Sequence, residues 1–249
     1  MPPLKGKICI VTGGARGLGL EITSQLLANQ ATVAVFDIDS QGLEALGRRS
    51  DIASYNCDVT NECQVQQSIA EVCDRLGKID ILINNVGILF SAPLIAFGGS
   101  GIQKHDSKMW DKVIATNLSS AFYMTKHAVE DMLKKRTKGV IVNISSVSAK
   151  GNVGQSAYSA AKAGLEALTK VWAKELARAG IRCFAVAPGF CDTESTHAAI
   201  SKQMLQETIN SVLVKRLGTT QEIASFIIAA IQNDFLNGKI LEVDGGLVI

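Results

Sequence analysis

Seven short apolar runs alternate along this chain with segments of helical length, and this alternation constrains the possible folds more than any other feature. The runs are Lys7–Val11, Thr32–Phe36, Ala53–Cys57, Ile79–Ile83, Val140–Ile144, Ile181–Ala187 and Lys239–Val243. They lack a strict alternation of apolar and polar residues, which indicates strands buried on both faces. Helices are predicted at Leu18–Asn29, Ser40–Arg48, Asn61–Leu76, Ser107–Arg136, Ala157–Ala179 and Thr220–Asn233. The sequence therefore predicts an α/β fold, a doubly wound parallel sheet of seven strands with helices on both faces.

The composition is that of one large domain. The 249 residues are 47% hydrophobic, with a mean hydropathy of +0.20, which is sufficient for a sizeable core. No repeat, low-complexity tract or Pro/Ser-rich linker marks a boundary, so residues 1–249 are expected to form a single domain. Two stretches without a regular pattern, Leu89–Lys108 and Phe190–Leu217, are long enough to build a substrate pocket at the carboxyl edge of the sheet.

Charge and composition argue against several classes of function. The 25 Lys and Arg residues nearly balance the 23 Asp and Glu residues, and no basic run is interleaved with aromatic residues, so no nucleic-acid partner is expected. The N-terminus resembles no signal peptide, and no run reaches the ~18 apolar residues of a membrane span, so we expect a cytoplasmic protein without a membrane partner. The six cysteines and three histidines form no metal-ligand pattern, and no metal is predicted.

A glycine-rich segment, Thr12–Gly19, directly follows the first apolar run. Its glycines at positions 13, 17 and 19 read G-x-x-x-G-x-G, which differs from the more common G-x-G-x-x-G. Glycines at a turn from strand to helix let the backbone approach a pyrophosphate, and the start of the helix supplies unpaired N–H groups. The segment therefore predicts a dinucleotide site on a Rossmann-type sheet.

Tyr158 and Lys162 are separated by one helical turn and would lie on one face of a helix. A phenol titrates near ~10, and a neighbouring cation favours its ionised form. Tyr158 is therefore a candidate acid for ketone reduction or base for alcohol oxidation. Together with the glycine-rich segment, the pair indicates a nicotinamide-dependent oxidoreductase.

With these motifs, almost the whole chain resembles the short-chain dehydrogenase/reductase family. The resemblance implies a catalytic group of Asn117, Ser145, Tyr158 and Lys162. Ser145, thirteen residues before Tyr158, would hydrogen-bond the carbonyl or alkoxide oxygen, with Ser146 as its competitor. Asn117 would hold a helix distortion and a water that relays protons to Lys162, and Lys162 would also bind the nicotinamide ribose.

The resemblance extends to residues that would contact the cofactor. Asp58 and Val59 would lie near adenine, the Asn84–Gly87 segment resembles the family's Asn-Asn-Ala-Gly, and the Thr193 hydroxyl would meet the nicotinamide carboxamide. The predicted cofactor-binding residues are Gly13, Arg16, Gly17, Leu18, Gly19, Asp37, Asp58, Val59, Asn85, Gly87, Tyr158, Lys162, Pro188, Gly189 and Thr193.

Asp37, at the end of the second apolar run, bears on the choice of cofactor. Its carboxylate can accept hydrogen bonds from the adenosine ribose hydroxyls and would repel a 2′-phosphate. Ile38 stands where NADP-preferring relatives often carry a basic residue. Arg16 acts in the opposite direction, because a cation in the glycine-rich segment could reach a 2′-phosphate. Taken together, Asp37, Ile38 and Arg16 predict NAD as the cofactor, and NADP is less favoured.

The resemblance also narrows the substrate. Thr116–Ser120 and Val214–Gly218 are most similar to segments of 3-oxoacyl reductases and 3-hydroxyacyl dehydrogenases. The leading hypothesis is therefore a dehydrogenase/reductase that interconverts a 3-oxoacyl and a 3-hydroxyacyl thioester. Arg136 fits the pattern of enzymes that act on carrier-protein substrates, whereas Ala179 stands where such enzymes offer an arginine and Arg178 is one residue away. A CoA thioester, an acyl-carrier thioester and a free ketone all remain open.

Two other functions compete with this hypothesis. One is an NAD-dependent dehydrogenase of a cyclic or other non-thioester secondary alcohol. The other is a catalytically silent NAD-binding sensor or scaffold, which would be expected to have lost part of the Ser/Tyr/Lys set.

A homotetramer is expected by resemblance. The helices Ser107–Arg136 and Ala157–Ala179 would form its apolar interface through Leu165, Leu168 and Trp172. The alternative is that these side chains face the sheet of their own subunit.

Overall fold

A computed structural model describes residues 4–47, 49–98, 101–199 and 202–247. The strands are β1 (Ile8–Thr12), β2 (Thr32–Asp37), β3 (Ile52–Asn56), β4 (Ile81–Asn84), β5 (Ile95–Gly98), β6 (Gly101–Lys104), β7 (Val140–Ile144), β8 (Arg182–Pro188) and β9 (Ile240–Val243). Within the described residues, seven of them form a parallel sheet in the order β3-β2-β1-β4-β7-β8-β9, and β5 and β6 pair antiparallel outside it. The predicted doubly wound α/β fold is confirmed.

Helices cover both faces of the sheet. They are α1 (Gly17–Ala28), α2 (Ser40–Ala45), α3 (Glu62–Leu76), α4 (Ser107–Ile114), α5 (Ser120–Lys134), α6 (Ser156–Glu175), α7 (Glu194–Ala199), α8 (Lys202–Ser211) and α9 (Thr220–Ile231). The neighbouring residues Ile10 and Val11 of β1 belong to two different core clusters. Val11 packs in the cluster that contains α1 and α9, and Ile10 in the cluster that contains α3 and α5. Consecutive strand residues point to opposite faces, so a strand buried on both sides needs an unbroken apolar run.

Several strands end one residue later than the apolar pattern predicts. Thr12, Asp37 and Asn84 are each the last residue of a strand, opposite Phe36, Asn56 and Asn143 in the ladders. Hydropathy marks only the apolar part of a strand, whereas the backbone ladder also includes a polar final residue. These polar side chains are therefore held by the sheet itself, at its carboxyl edge.

The predicted helix Ser107–Arg136 is interrupted. A π-helical turn at Ala115–Ser119 separates α4 from α5, and α5 ends at Lys134. Such a turn holds one extra residue and often marks a functional site. The predicted helix Ala157–Ala179 likewise ends early, at Glu175, and is followed by a 3₁₀ turn at Ala177–Ala179.

The two stretches predicted to be irregular contain regular elements. The first includes the β5–β6 hairpin, and the second includes α7 and α8. Apolar hairpin side chains are exposed, with Phe97 at 84%, so no buried face produces a periodic signal in the sequence. Gly99 and Ser100 of the first stretch, and Arg48 at the end of the second predicted helix, lie outside the described residues.

The residues predicted to form the apolar interface lie in the core of the subunit. Leu165 and Trp172 are 1% and 7% exposed, and Leu168 packs against the cluster that contains Trp172. The interface role predicted for Leu165 and Trp172 is therefore wrong, because one subunit already buries them. Exposed large apolar residues on α4, α5 and α6 are Trp110, Phe122, Leu133 and Val171.

No helix in the described part of the chain is both long and apolar enough to cross a membrane.

Candidate active site

The glycine-rich segment makes a tight turn between β1 and α1. Gly13 and Gly17 have φ angles of 64° and 54°, a left-handed conformation that favours glycine. A Cβ on Gly19 would lie 1.9 Å from the carbonyl oxygen of Gly13. The first turn of α1 therefore packs so closely on the segment that only glycine fits at this position.

Hydrogen bonds of Asn85 and Thr12 support the turn. The Asn85 side chain donates hydrogen bonds to the carbonyl oxygens of Thr12 (3.0 Å) and Gly13 (3.2 Å). Thr12 Oγ1 accepts from the backbone N–H of Asn85 at 2.9 Å. Asn85 is thus both a residue of the cleft wall and the support of the turn.

A cleft of about 970 Å³ opens beside this turn at the carboxyl edge of the sheet. Its lining includes the predicted cofactor residues Gly13, Arg16, Gly17, Asp37, Asp58, Val59, Asn85, Gly87 and Thr193. A smaller cavity of about 230 Å³ shares Asn85, Gly87 and Thr193 with it. The smaller cavity is also lined by Leu18, Ser145, Tyr158, Lys162, Pro188 and Gly189. A glycine turn at a helix N-terminus, followed by an acid on the next strand, fits a dinucleotide.

The Asp37 carboxylate is held in place at the wall of the cleft. One oxygen accepts from the backbone N–H of Ala15 at 3.0 Å and the other from the N–H of Asp39 at 3.1 Å. Each carboxylate oxygen has a second lone pair for another donor, such as a ribose hydroxyl. Arg16 also lines the cleft, and the side chain of Ile38 is exposed.

The other predicted cofactor residues have local partners. Asp58 accepts from the N–H and hydroxyl of Thr60 at 2.9 and 2.7 Å. A Cβ on Gly189 would lie 2.8 Å from the Cα of Asp244, so this turn also requires close packing. The Thr193 hydroxyl lies 3.0 Å from the hydroxyl of Thr196.

Tyr158 and Lys162 lie in successive turns of α6. The Lys162 ammonium is buried, 5.7 Å from the centroid of the Tyr158 ring, and donates to the carbonyl oxygen of Ile144 at 2.6 Å. Burial lowers the pKa of Lys162 to about 8. Burial also raises the pKa of the Tyr158 phenol, and a hydrogen bond with the Ser146 side chain lowers it in part. The phenol therefore holds its proton at neutral pH and can donate it to a substrate.

The two adjacent serines point to different partners. The hydroxyl of Ser145 donates to Oε1 of Glu166 at 2.8 Å, whereas Ser146 meets the Tyr158 phenol. Both serines follow the last residue of β7 and line the same cavity as Tyr158, but their hydroxyls have different partners. The role predicted for Ser145 therefore stays a prediction, with Ser146 as the competitor that the structure brings to Tyr158. The spacing from Tyr158 could not separate neighbouring serines, because the intervening loop has no fixed length.

Asn117 lies within the π-helical turn and is buried. Its amide donates to the carbonyl oxygen of Ile88 at 2.8 Å, and its Oδ1 accepts from the Ile88 N–H at 2.7 Å. A Cβ on Gly87 would lie 3.0 Å from Asn117 Oδ1 and 3.5 Å from Lys162 Nζ. The structure thus has the expected helix distortion at Asn117 and brings this residue close to Lys162.

Sequence reasoning missed Gln155, Phe190 and Cys191 of the smaller cavity. Burial, and then the charge of Glu222, raise the pKa of the Cys191 thiol to about 11. Cys191 lies between two predicted cofactor residues, and that position was the available signal. Among the described residues, no group of three or more His, Cys, Asp or Glu side chains could hold a metal ion.

The chain is similar to known proteins in sequence and in fold. The family described as "Enoyl-(Acyl carrier protein) reductase" matches residues 13–248. A crystal structure of a short chain dehydrogenase from Bacillus anthracis covers 98% of this chain and 97% of its own, with a TM-score of 0.87 and 30% identity. The chain belongs to the short-chain dehydrogenase/reductase family. The predicted resemblance is confirmed.

Other members of the short-chain dehydrogenase/reductase family are similar over their full length. The 3-oxoacyl-[acyl-carrier-protein] reductase FabG of Thermotoga maritima is 36% identical, and the alignment covers 99% of both chains. The protein of the same name from Escherichia coli is 34% identical over 98% of both chains. The predicted enzyme class is confirmed: the chain is a nicotinamide-dependent oxidoreductase that acts on a keto or CH–OH group.

Proposed function

We propose that this protein reduces the keto group of a 3-oxoacyl thioester to a 3-hydroxyacyl thioester, with one NADH and one proton consumed. The observation that carries the proposal is the buried Tyr158–Lys162 pair in the smaller cavity, which shares part of its lining with the cofactor cleft. The printed names of the full-length relatives support the substrate class.

In the proposed mechanism, Tyr158 transfers its proton to the carbonyl oxygen, and Ser146 donates a hydrogen bond to the same oxygen as negative charge develops there. The positive charge of Lys162 makes the phenol a stronger acid. Asn117, which is close to Lys162, would hold a water that relays protons to Lys162. When bound, the nicotinamide cofactor supplies the hydride that the carbonyl carbon accepts.

We propose NAD as the cofactor, with the adenosine ribose on Asp37, the nicotinamide ribose on Lys162 and the carboxamide on Thr193. The support is the Asp37 carboxylate, which two backbone N–H groups hold against the cleft wall. A 2′-phosphate beside it would meet a carboxylate fixed in place and unable to turn away. Arg16, also at the cleft, is the residue through which NADP would compete.

We propose an acyl-carrier thioester as the substrate, because both cited full-length relatives are named for that carrier. CoA thioesters and free ketones are the alternatives to be tested. A cytoplasmic homotetramer, a single domain over residues 1–249 and the absence of nucleic-acid and membrane partners remain predictions. Exposed Phe122, Leu133 and Val171 are the candidate interface residues.

The test is a turnover assay with purified protein, in which cofactor absorbance is followed for each substrate with NADH and NADPH in parallel. The panel contains a 3-oxoacyl-carrier thioester, the matching 3-oxoacyl-CoA and a cyclic ketone. We expect the two thioesters to be reduced, the carrier form at higher kcat/KM, with NADH preferred. Reduction of the cyclic ketone alone would contradict the substrate class, and a lack of turnover despite cofactor binding would favour the silent sensor.

A further inference from the structure

The carboxyl end of β7 meets α6 through three consecutive residues, 144–146. Two of these residues contact the proposed proton-transfer pair. The carbonyl oxygen of Ile144 accepts from Lys162, and the side chain of Ser146 lines the same cavity as the Tyr158 phenol and lowers the pKa of that phenol. The middle residue of the three makes a contact that the proposed mechanism does not use.

That contact joins Ser145 to Glu166. The Ser145 hydroxyl donates to Glu166 Oε1 at 2.8 Å, and Ser145 is 3% exposed while Glu166 is partly buried. The backbone N–H of Ser145 donates to the carbonyl oxygen of Val186 in β8 at 2.7 Å. Hydrogen bonds to a carboxylate are strong and directional, and more so away from water. Ser145 is thus held by its backbone to the sheet and by its side chain to α6.

The spacing along α6 makes this contact part of the same surface as the catalytic pair. Tyr158, Lys162 and Glu166 are each four residues apart and therefore lie on one face of the helix. Ser146 also accepts from the N–H of Ser148 at 3.2 Å, where the chain turns into a 3₁₀ helix. The hydrogen bond between Ser145 and Glu166 therefore holds the residue that directly precedes Ser146.

We infer that Glu166 is a positioning residue, which acts through Ser145 to orient Ser146 toward the Tyr158 phenol. The inference rests on the proposed function. The carboxylate contributes here as a hydrogen-bond acceptor, so glutamine, which keeps a carbonyl oxygen, should replace it. A residue that only stabilised the fold would affect melting temperature but leave the geometry at Tyr158 unchanged.

The kinetic test compares variants on both sides of the hydrogen bond. Ser145→Ala and Glu166→Ala should each lower kcat by ~10-fold or more with unchanged cofactor Kd, because a small misplacement of a catalytic group is costly. The double variant should be about as slow as either single variant, since both remove the same contact. Glu166→Gln should retain kcat within about twofold. Glu130→Gln, whose carboxylate pairs with Lys134 on the surface of α5, is the matched control and should behave as wild type.

A spectroscopic test needs no substrate. The chain has 3 tyrosines, Tyr55, Tyr123 and Tyr158, so ¹³C-labelled tyrosine gives a spectrum in which Tyr158→Phe assigns the relevant signal. Ser145→Ala and Glu166→Ala should shift the Tyr158 signal and leave the other two in place, and Glu166→Gln should shift none. A thermal melt checks that each variant is folded, and Glu166→Ala carries the test if Ser145→Ala is not.

The outcomes distinguish a failure of the positioning role of Glu166 from a failure of the proposed function. An unmoved Tyr158 signal in a folded Ser145→Ala or Glu166→Ala variant would overturn the positioning role, as would a kcat within about twofold of wild type in both variants. If wild-type protein reduces no 3-oxoacyl thioester, the proposed function fails, while the Tyr158 signal still reports on the contact between Ser145 and Glu166.

Discussion

The cofactor cleft and the smaller catalytic cavity are built by different parts of the chain. Tight glycine packing and hydrogen bonds between side chains and the backbone shape the first, around the turn from β1 to α1. Buried side chains of β7 and α6, together with loops, shape the second. A site made from backbone depends on which residues are small, whereas a site made from side chains depends on which way they point. The two regions should therefore respond differently to substitution.

The largest effect is expected at the catalytic cavity. Tyr158→Phe should reduce turnover by at least ~10²-fold and leave cofactor Kd nearly unchanged, because it removes only the proton donor. Steady-state kinetics and a cofactor titration measure the two quantities. Retention of more than about a tenth of wild-type turnover would remove Tyr158 from this role.

Lys162→Met should separate activity from stability. Turnover and cofactor affinity should fall, while the protein without cofactor becomes more stable at pH 7. Burial holds the Lys162 pKa at about 8, against 10.5 for an unburied lysine, so its charge costs stability. At about 1.4 kcal/mol per pKa unit, the gain is roughly 3 kcal/mol, less ~1 kcal/mol for the lost hydrogen bond to Ile144.

The pH dependence gives the sign of this effect. Because the pKa is lowered in the folded state, the cost is fully present below about pH 8 and disappears as the pH rises toward 10.5. Urea unfolding at pH 7 and pH 9.5 should show the difference between Lys162→Met and wild type narrowing at the higher pH. An equal difference at both values would mean that the charge of Lys162 is not the cause.

Gly19→Ala tests the cofactor cleft, where closely packed backbone forms the turn from β1 to α1. Its Cβ would lie 1.9 Å from the Gly13 carbonyl oxygen, so the turn must open. We expect a loss of ~1–3 kcal/mol in stability, typical of overpacking, and weaker cofactor binding. Gly98→Ala in the β5–β6 hairpin, where a Cβ would lie 3.8 Å from Nε2 of Gln103, is the matched control. Cofactor titration should leave the control at the wild-type Kd, and a Gly19→Ala variant with the same Kd would refute the close-packing argument.

The Asp37→Ala substitution should have a smaller effect, confined to the choice of cofactor. It should weaken the use of NADH and ease that of NADPH, narrowing the preference by on the order of 1–3 kcal/mol. Measurement of kcat/KM with NADH and with NADPH, for wild type and variant, decides whether Asp37 sets the cofactor preference. A wild-type preference for NADPH, or an unchanged ratio in the variant, would assign specificity to Arg16 instead.

The smallest effect is expected at the hairpin. Phe97 is 84% exposed, so Phe97→Ser should change stability by less than ~0.5 kcal/mol and leave cofactor Kd unchanged. A thermal melt and a cofactor titration check this. A clear loss of stability would show that Phe97 is covered in solution, contrary to its exposure in the single chain.

The sheet, the glycine turn and the residues of the proposed proton-transfer pair can all be predicted from the amino-acid sequence alone. Apolar runs report burial, and Gly19 and Tyr158 can be recognised from residue type and spacing. The directions of the side chains follow from tertiary packing. It turned Ser145 to Glu166 and Ser146 to Tyr158, and it placed Leu165 in the core of the subunit rather than at an interface. Ser145 and Ser146 are the same residue type and differ by only one position in their spacing from Tyr158. The direction of each side chain depends instead on partners that are distant in the sequence.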